Sequence, residues 1–111
     1  QDLGRELMAS TSLRREFKFS ILVPAADYYP QAGAEEQVLL QGVVDCCFET
    51  LEGITVVDFK TDRVDRRSVA ARAEEYRPQL AAYSRALEEI TGKPVIRRCL
   101  WFFALDQAVD V

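Results

Sequence analysis

Residues 42–62 read GVVDCCFETLEGITVVDFKTD, and the reading of the whole chain turns on them. They belong to two apolar runs, 38–49 and 54–61, rich in β-branched and aromatic residues and separated by a short Gly-bearing segment. Runs of that length on either side of a turn predict a β-hairpin. Apolar residues recur on both alternating faces, with Val44, Cys46 and Phe48 expected on one side of the first strand and Val43 and Cys47 on the other. Strands apolar on both faces belong in the middle of a sheet covered on both sides. Yet Asp45 and Asp58 stand inside these runs, with Lys60 two residues beyond the second.

Working outward, Phe17, Phe19 and Ile21 alternate with Glu16, Lys18 and Ser20, so Arg14–Val23 reads as a strand with one buried face, ended by Pro24. The segment PAADYYPQAGAEEQ is a loop. A short helix is expected over residues 2–10, weakened by Gly4. A longer one is expected from Arg67 to about Ile90, with Ser68 as N-cap candidate and Gly92-Lys93-Pro94 as stop. Pro78 predicts two segments or a kink near Arg77, and Leu80, Tyr83, Leu87 and Ile90 form the stripe that packs on the sheet. Residues 95–105 make a last strand, with Trp101 and Phe103 on one face and Leu100 and Phe102 on the other. The order strand, strand, strand, helix, strand predicts an α/β class, specifically an α+β mixed sheet with flanking helices, in a single domain over residues 1–111.

Composition narrows the function. The chain has 111 residues, is 49% hydrophobic and 29% charged, and carries a net charge of −4, which argues against a generally basic nucleic-acid coat but leaves room for a local basic groove. Cys46, Cys47 and Cys99 lack metal-site spacing, and neighbours on a strand point to opposite faces, so they read as reduced core thiols suited to a cytosolic compartment. Histidine is absent, which removes the commonest general base and transition-metal ligand. No apolar run reaches the roughly 20 residues of a membrane span.

If the hairpin turns symmetrically about the Leu51–Glu52 bond, Asp45 lies opposite Asp58, with Cβ atoms about 4.5–5.5 Å apart. Two facing carboxylates repel unless positive charge lies between them, and a hard divalent cation, which takes carboxylate oxygens and keeps waters, is the natural occupant. Period two puts Lys60 on the face of Asp58 and turns Phe59 away. Gly42 is expected near Thr61, leaving room for a backbone or ligand. The plainer alternative makes these strand-end charges, with Asp58 and Lys60 an i,i+2 ion pair.

The blocks Gly42-x-x-Asp45, Asp58-Phe59-Lys60-Thr61 and Gln79-Leu80-x-x-Tyr83 resemble the signature of the PD-(D/E)XK nuclease superfamily, in its RecB-type branch. With Arg15-Glu16-Phe17 and Tyr76-Arg77-Pro78-Gln79-Leu80 added, the pattern is similar to the C-terminal nuclease domains of AddA-type helicase-nuclease subunits, from about Arg14 to Phe103. The resemblance implies a restriction-endonuclease-like core that hydrolyses DNA phosphodiesters with Mg²⁺ or Mn²⁺. It implies metal ligation by Asp45, Asp58, the Phe59 carbonyl and, less securely placed, Glu16. Lys60 would act on the attacking water or the developing charge, with Gln79 and Tyr83 orienting it or touching DNA.

The same resemblance implies a C-terminal fragment of a larger subunit working in double-strand break processing. The expected partners are DNA and an AddB-type second subunit, in a bacterial, nucleoid-associated cytoplasmic setting. No G-x-x-x-x-G-K-[ST] loop occurs, so the motor is expected outside this chain. The branch usually adds a histidine ligand on a helix before the first strand; without one, the chain alone is expected to bind metal weakly and cut slowly or not at all. Arg63, Arg66, Arg67 and Arg77 are phosphate-contact candidates among interleaved acids, the alternative being a solvated, ion-paired face. Two other functions compete: an inactive nuclease-fold module for DNA binding or subunit docking, and a scaffold whose hairpin charges are only ion-paired.

Overall fold

The structure, a computed structural model, describes residues 13–111. The helix expected over residues 2–10 lies outside the described residues. The hairpin forms where its composition places it: β2 spans Gln37–Glu49 and β3 spans Ile54–Lys60, antiparallel, with Cys46 opposite Val57 and Glu49 opposite Ile54. This is the symmetric register expected from the turn. On the outer edge of β2 lies β1, Arg14–Pro24, also antiparallel. A short 3₁₀ turn, Ala25–Asp27, opens the β1–β2 loop.

Helix α1, Val69–Thr91, crosses back over the sheet so that β4, Val95–Phe102, runs parallel to β3. A fifth strand, β5 (Gln107–Asp110), returns antiparallel to β4 after a turn in which Asp106 takes φ 48°. The sheet order is β1-β2-β3-β4-β5, a mixed sheet with one helix among the described residues. The last strand therefore ends at Phe102 rather than near residue 105. A four-residue strand with two half-buried positions has too little alternation to stand out in sequence.

Asp65, rather than Ser68, does the capping at the start of α1. Its carboxylate accepts the Arg67 and Ser68 amides at 2.9 Å, and the Ser68 hydroxyl accepts the Asp65 amide at 3.0 Å. At the far end Gly92 takes φ 72° and donates its amide to the Glu88 carbonyl at 2.9 Å, a left-handed cap. Between them the helix runs without interruption through Pro78, against the expected break. A proline inside a helix costs about 3 kcal/mol. Ala73, Leu80, Ala86 and Leu87, buried on both sides of it, more than offset that. Pro78 itself is exposed, where water can serve the carbonyl that lacks an amide partner. Ile90, expected in the packing stripe, is instead 47% exposed, and Ser84 is buried with its hydroxyl donated to the Leu80 carbonyl.

The helix covers a core of Phe19, Val44, Cys47, Ile54, Val56, Leu80, Leu87, Leu100 and Phe102, with Phe17 and Ile21 against it. On the other face Cys46, Phe48, Val57 and Cys99 pack with Leu13, Trp101 and Ala108. Cys46 and Cys47 thus point to opposite sides as expected, and all three cysteines are free and buried. Val44 does not share the face of Cys46 and Phe48: with Cys47, three residues on, it faces the helix. The alternation slips at Asp45. Opposite Asp45 stands Glu16, which takes φ 51°, and the β1–β2 ladder omits this pair while keeping its register on both sides. A left-handed non-glycine residue costs on the order of 1–3 kcal/mol and persists only where its surroundings demand it.

Gly42 is paired with Phe19 of β1 and is not near Thr61, because the β2–β3 ladder stops at Cys46 and Val57. A Cβ there would stand 3.1 Å from both the Phe19 and Tyr83 rings, which meet edge to face at 5.6 Å. The missing side chain makes room for two aromatics, not for a ligand. Gly42→Val should therefore destabilise the chain by about 1–3 kcal/mol through overpacking, read as a fall in the urea midpoint with unchanged m-value.

Candidate metal and catalytic centre

The centre lies where β2 and β3 part. Asp58 follows Val56 on the helix-facing side of β3, in the row of Leu100 on β4, and is only 3% exposed. Its carboxylate is 2.6 Å from the Lys60 ammonium. Beyond the end of the β2–β3 ladder, Asp45 turns its carboxylate toward β3 and accepts the Phe59 amide at 2.9 Å. The side chain of Phe59 points to the other face, against Phe103 with ring centroids 5.7 Å apart. So Asp45, Asp58 and Lys60 converge as the register predicted, with Asp45 held by a backbone donor of the neighbouring strand.

Burial first, then the Asp45 carboxyl, push the pKa of Asp58 up to about 6, against the opposing pull of Lys60. One ammonium does not fully compensate two carboxylates withdrawn from water. The Tyr83 hydroxyl reports the same negative field: burial first, then the charges of Asp58 and Asp45, raise its pKa. Tyr83 thus stands between the Phe19 ring and the carboxylates. Gln79, one turn earlier, accepts the Lys60 ammonium on its Oε1 at 2.9 Å.

Two residues without a role in the sequence reading complete the surroundings. The Lys60 ammonium lies 3.8 Å over the centre of the Tyr76 ring. The Tyr76 hydroxyl donates to both oxygens of Asp62, at 3.0 and 2.9 Å, and Asp62 also pairs with Arg72 at 2.6 Å. Desolvation works upward on Asp62, but its hydrogen bonds from Tyr76 and Arg72 prevail and hold its pKa below the usual range. Tyr76 is three residues before Gln79 and seven before Tyr83, so helical spacing alone signalled that the three share a face.

Glu16 is not gathered with the two aspartates: its side chain is exposed, and no group of three His, Cys, Asp or Glu side chains poised for a metal occurs among the described residues. Its left-handed backbone redirects the side chain from the position that plain alternation assumes. Arg63, Arg66 and Arg67 are exposed in the segment between β3 and α1 and enter none of the salt bridges among the described residues. Arg77 is engaged by Glu74 at 2.6 Å and by the Val111 carbonyl at 2.8 Å, and Arg72 by Asp62 and Glu75. The basic run is thus divided between ion-paired helix positions and exposed positions beside Lys60.

The donor set fits a hard divalent cation. Two carboxylates meet at one edge of the sheet, one deeply buried and both oxygen donors, and soft ligands are confined to the core. The sequence matches the PD-(D/E)XK nuclease superfamily over residues 2–109. The chain belongs to that superfamily. It is 35% identical over 119 aligned residues, covering 99% of the chain, to the A-subunit of the ATP-dependent helicase/nuclease of Bacillus cereus (strain G9842). It is 43% identical over 101 residues, 89% of the chain, to the protein of that name from Desulforudis audaxviator. The identity is again 43%, over 105 residues and 91% of the chain, to the one from Acetivibrio thermocellus. The aligned region spans only 8–10% of the length of these relatives. PD-(D/E)XK nucleases generally use divalent metals, consistent with the paired carboxylates.

Because the folded pKa of Asp58 lies above the ordinary carboxylate value near 4, the folded chain binds this proton more tightly than the unfolded chain. The resulting stabilisation is full below about pH 4 and is lost as pH rises through about 6. In metal-free buffer, Asp58→Asn should gain about 2–3 kcal/mol of stability relative to wild type between pH 4 and pH 7.5. Denaturant titrations at the two pH values measure this, and a pH-independent difference would contradict it.

Proposed function

We propose that this chain is the nuclease module of an ATP-dependent helicase-nuclease, hydrolysing DNA phosphodiesters with Mg²⁺ or Mn²⁺. The observation that carries this reading is the meeting of Asp45, Asp58 and Lys60 at one point in a chain of this superfamily. Asp45, Asp58 and the Phe59 carbonyl would hold the metal, whereas Glu16, exposed and apart, is left out of the ligand set. When bound, the metal polarises the phosphoryl oxygen and lowers the pKa of its water.

The chain's own residues supply the rest. Lys60 presents a fixed ammonium to the negative charge that develops on the phosphorus oxygens, and Gln79 keeps that ammonium oriented. Tyr83 closes the inner wall, its hydroxyl staying protonated beside the carboxylates. Arg63, Arg66 and Arg67 hold the DNA backbone without reading sequence. Arg77, tied to Glu74, contributes less. The relatives' names support a wider setting: a helicase motor elsewhere in the polypeptide, an AddB-type second subunit, and work on broken DNA ends in the bacterial cytoplasm.

Calorimetric titration with Mn²⁺ should show one carboxylate-dependent site whose affinity falls at least about tenfold in Asp58→Ala. Mg²⁺-dependent cleavage of single-stranded DNA should drop about 10²–10³-fold in Lys60→Ala. Equal Mn²⁺ binding by wild type and Asp58→Ala would leave the hairpin charges as an ion-paired strut and remove the nuclease reading.

A further inference from the structure

In this structure the Lys60 ammonium has three partners: the Asp58 carboxylate at 2.6 Å, Gln79 Oε1 at 2.9 Å and the face of Tyr76 at 3.8 Å. Asp58 is also a metal ligand in the proposed nuclease function, on which this inference rests. A dication that takes the Asp58 oxygens removes the strongest of the three contacts and repels the ammonium. Lysine is a compact charge on a flexible four-carbon stem, so with nothing else to hold it the group would swing into water.

We propose that Tyr76 is a positioning residue: its ring, with Gln79, forms a cradle on α1 that keeps the Lys60 ammonium in the site after metal displaces it from Asp58. The cradle is built for this. The electron-rich ring face attracts a cation without carrying a charge that competes for the metal. The ring is fixed at its far end by two hydrogen bonds to Asp62, itself held by Arg72. Asp62 lies two residues beyond Lys60, so one short stretch supplies both the cation and the anchor of the ring that receives it. Tyr76 and Gln79, three apart on one helix, present ring and amide side by side.

Lys18, Lys60 and Lys93 are the only lysines, so their ε-methylene signals are resolved and assigned readily in a ¹H–¹³C NMR spectrum of the whole chain. The ring current of Tyr76 should move the Lys60 ε protons upfield of those of Lys18 and Lys93, and the displacement should persist at saturating Mg²⁺. It should be lost in Tyr76→Leu and retained in Tyr76→Phe, which keeps the ring. An undisplaced Lys60 signal in wild type, its collapse to the position of the other lysines on adding Mg²⁺, or its survival in Tyr76→Leu would each overturn the proposal. The wild-type titration decides even if Tyr76→Leu does not fold. If Mg²⁺ perturbs the Asp45 and Asp58 signals in wild type but not those left in Asp58→Ala, the metal reading holds whatever becomes of the cradle. If Mg²⁺ perturbs neither chain, that reading fails and the cradle's role after metal binding falls with it.

Discussion

Asp58 has lost nearly all contact with water, and its one fully charged partner, Lys60, comes from the same strand two residues away. A carboxylate in that position is expensive, and the second carboxyl of Asp45 beside it makes it more so. Much of the local architecture follows from this excess of negative charge. The Phe59 amide turns to Asp45, Gln79 and Tyr76 attend the ammonium, and Tyr83 keeps its proton. A chain selected for stability alone would put leucine at position 58, as Val56 and Val57 before it already suggest. Retaining the charge is understandable if the site's resting state awaits a further cation.

The surrounding packing serves the same end through shape. A sheet regular to its end would zip β2 against β3 past Asp45 and bury the two aspartates face to face. Instead the ladder stops one pair short of them, the alternation of β2 slips, and Glu16 on the neighbouring strand takes up the left-handed conformation that accommodates the slip. Gly42 leaves the space in which Phe19 and Tyr83 stack edge to face, which brings Tyr83 up to the carboxylates. Local strain at Glu16 and conformational freedom given up at Gly42 are both offset by the core under α1, where Leu80, Leu87, Leu100 and Phe102 are fully enclosed.

Much of this was legible beforehand. The hairpin, its register, the opposite facing of Cys46 and Cys47, and the common face of Asp58 and Lys60 all follow from period two and a symmetric turn. What failed did so for identifiable reasons. Pro78 argued for a broken helix, but propensity is a local quantity and burial on both sides of the proline outweighed it. Val44 was placed on the wrong face because alternation was assumed to pass undisturbed through Asp45. Tyr76 lay in plain view within a quoted motif, yet nothing in a linear pattern says that a lysine sixteen residues earlier will rest on its ring.

The order of residues by itself determined which elements form, which faces they bury and which side chains carry the chemistry, because these depend on short-range periodicity and on the acid–base character of each group. Only the folded chain decided how those side chains divide one another's attention: Asp45 to a backbone amide, Lys60 among a carboxylate, an amide and a ring, Arg77 to a neighbour on its own helix. Such choices are made by distance and by the loss of water around buried charge. Both arise when strands and helix from separate parts of the sequence are brought within a few ångströms.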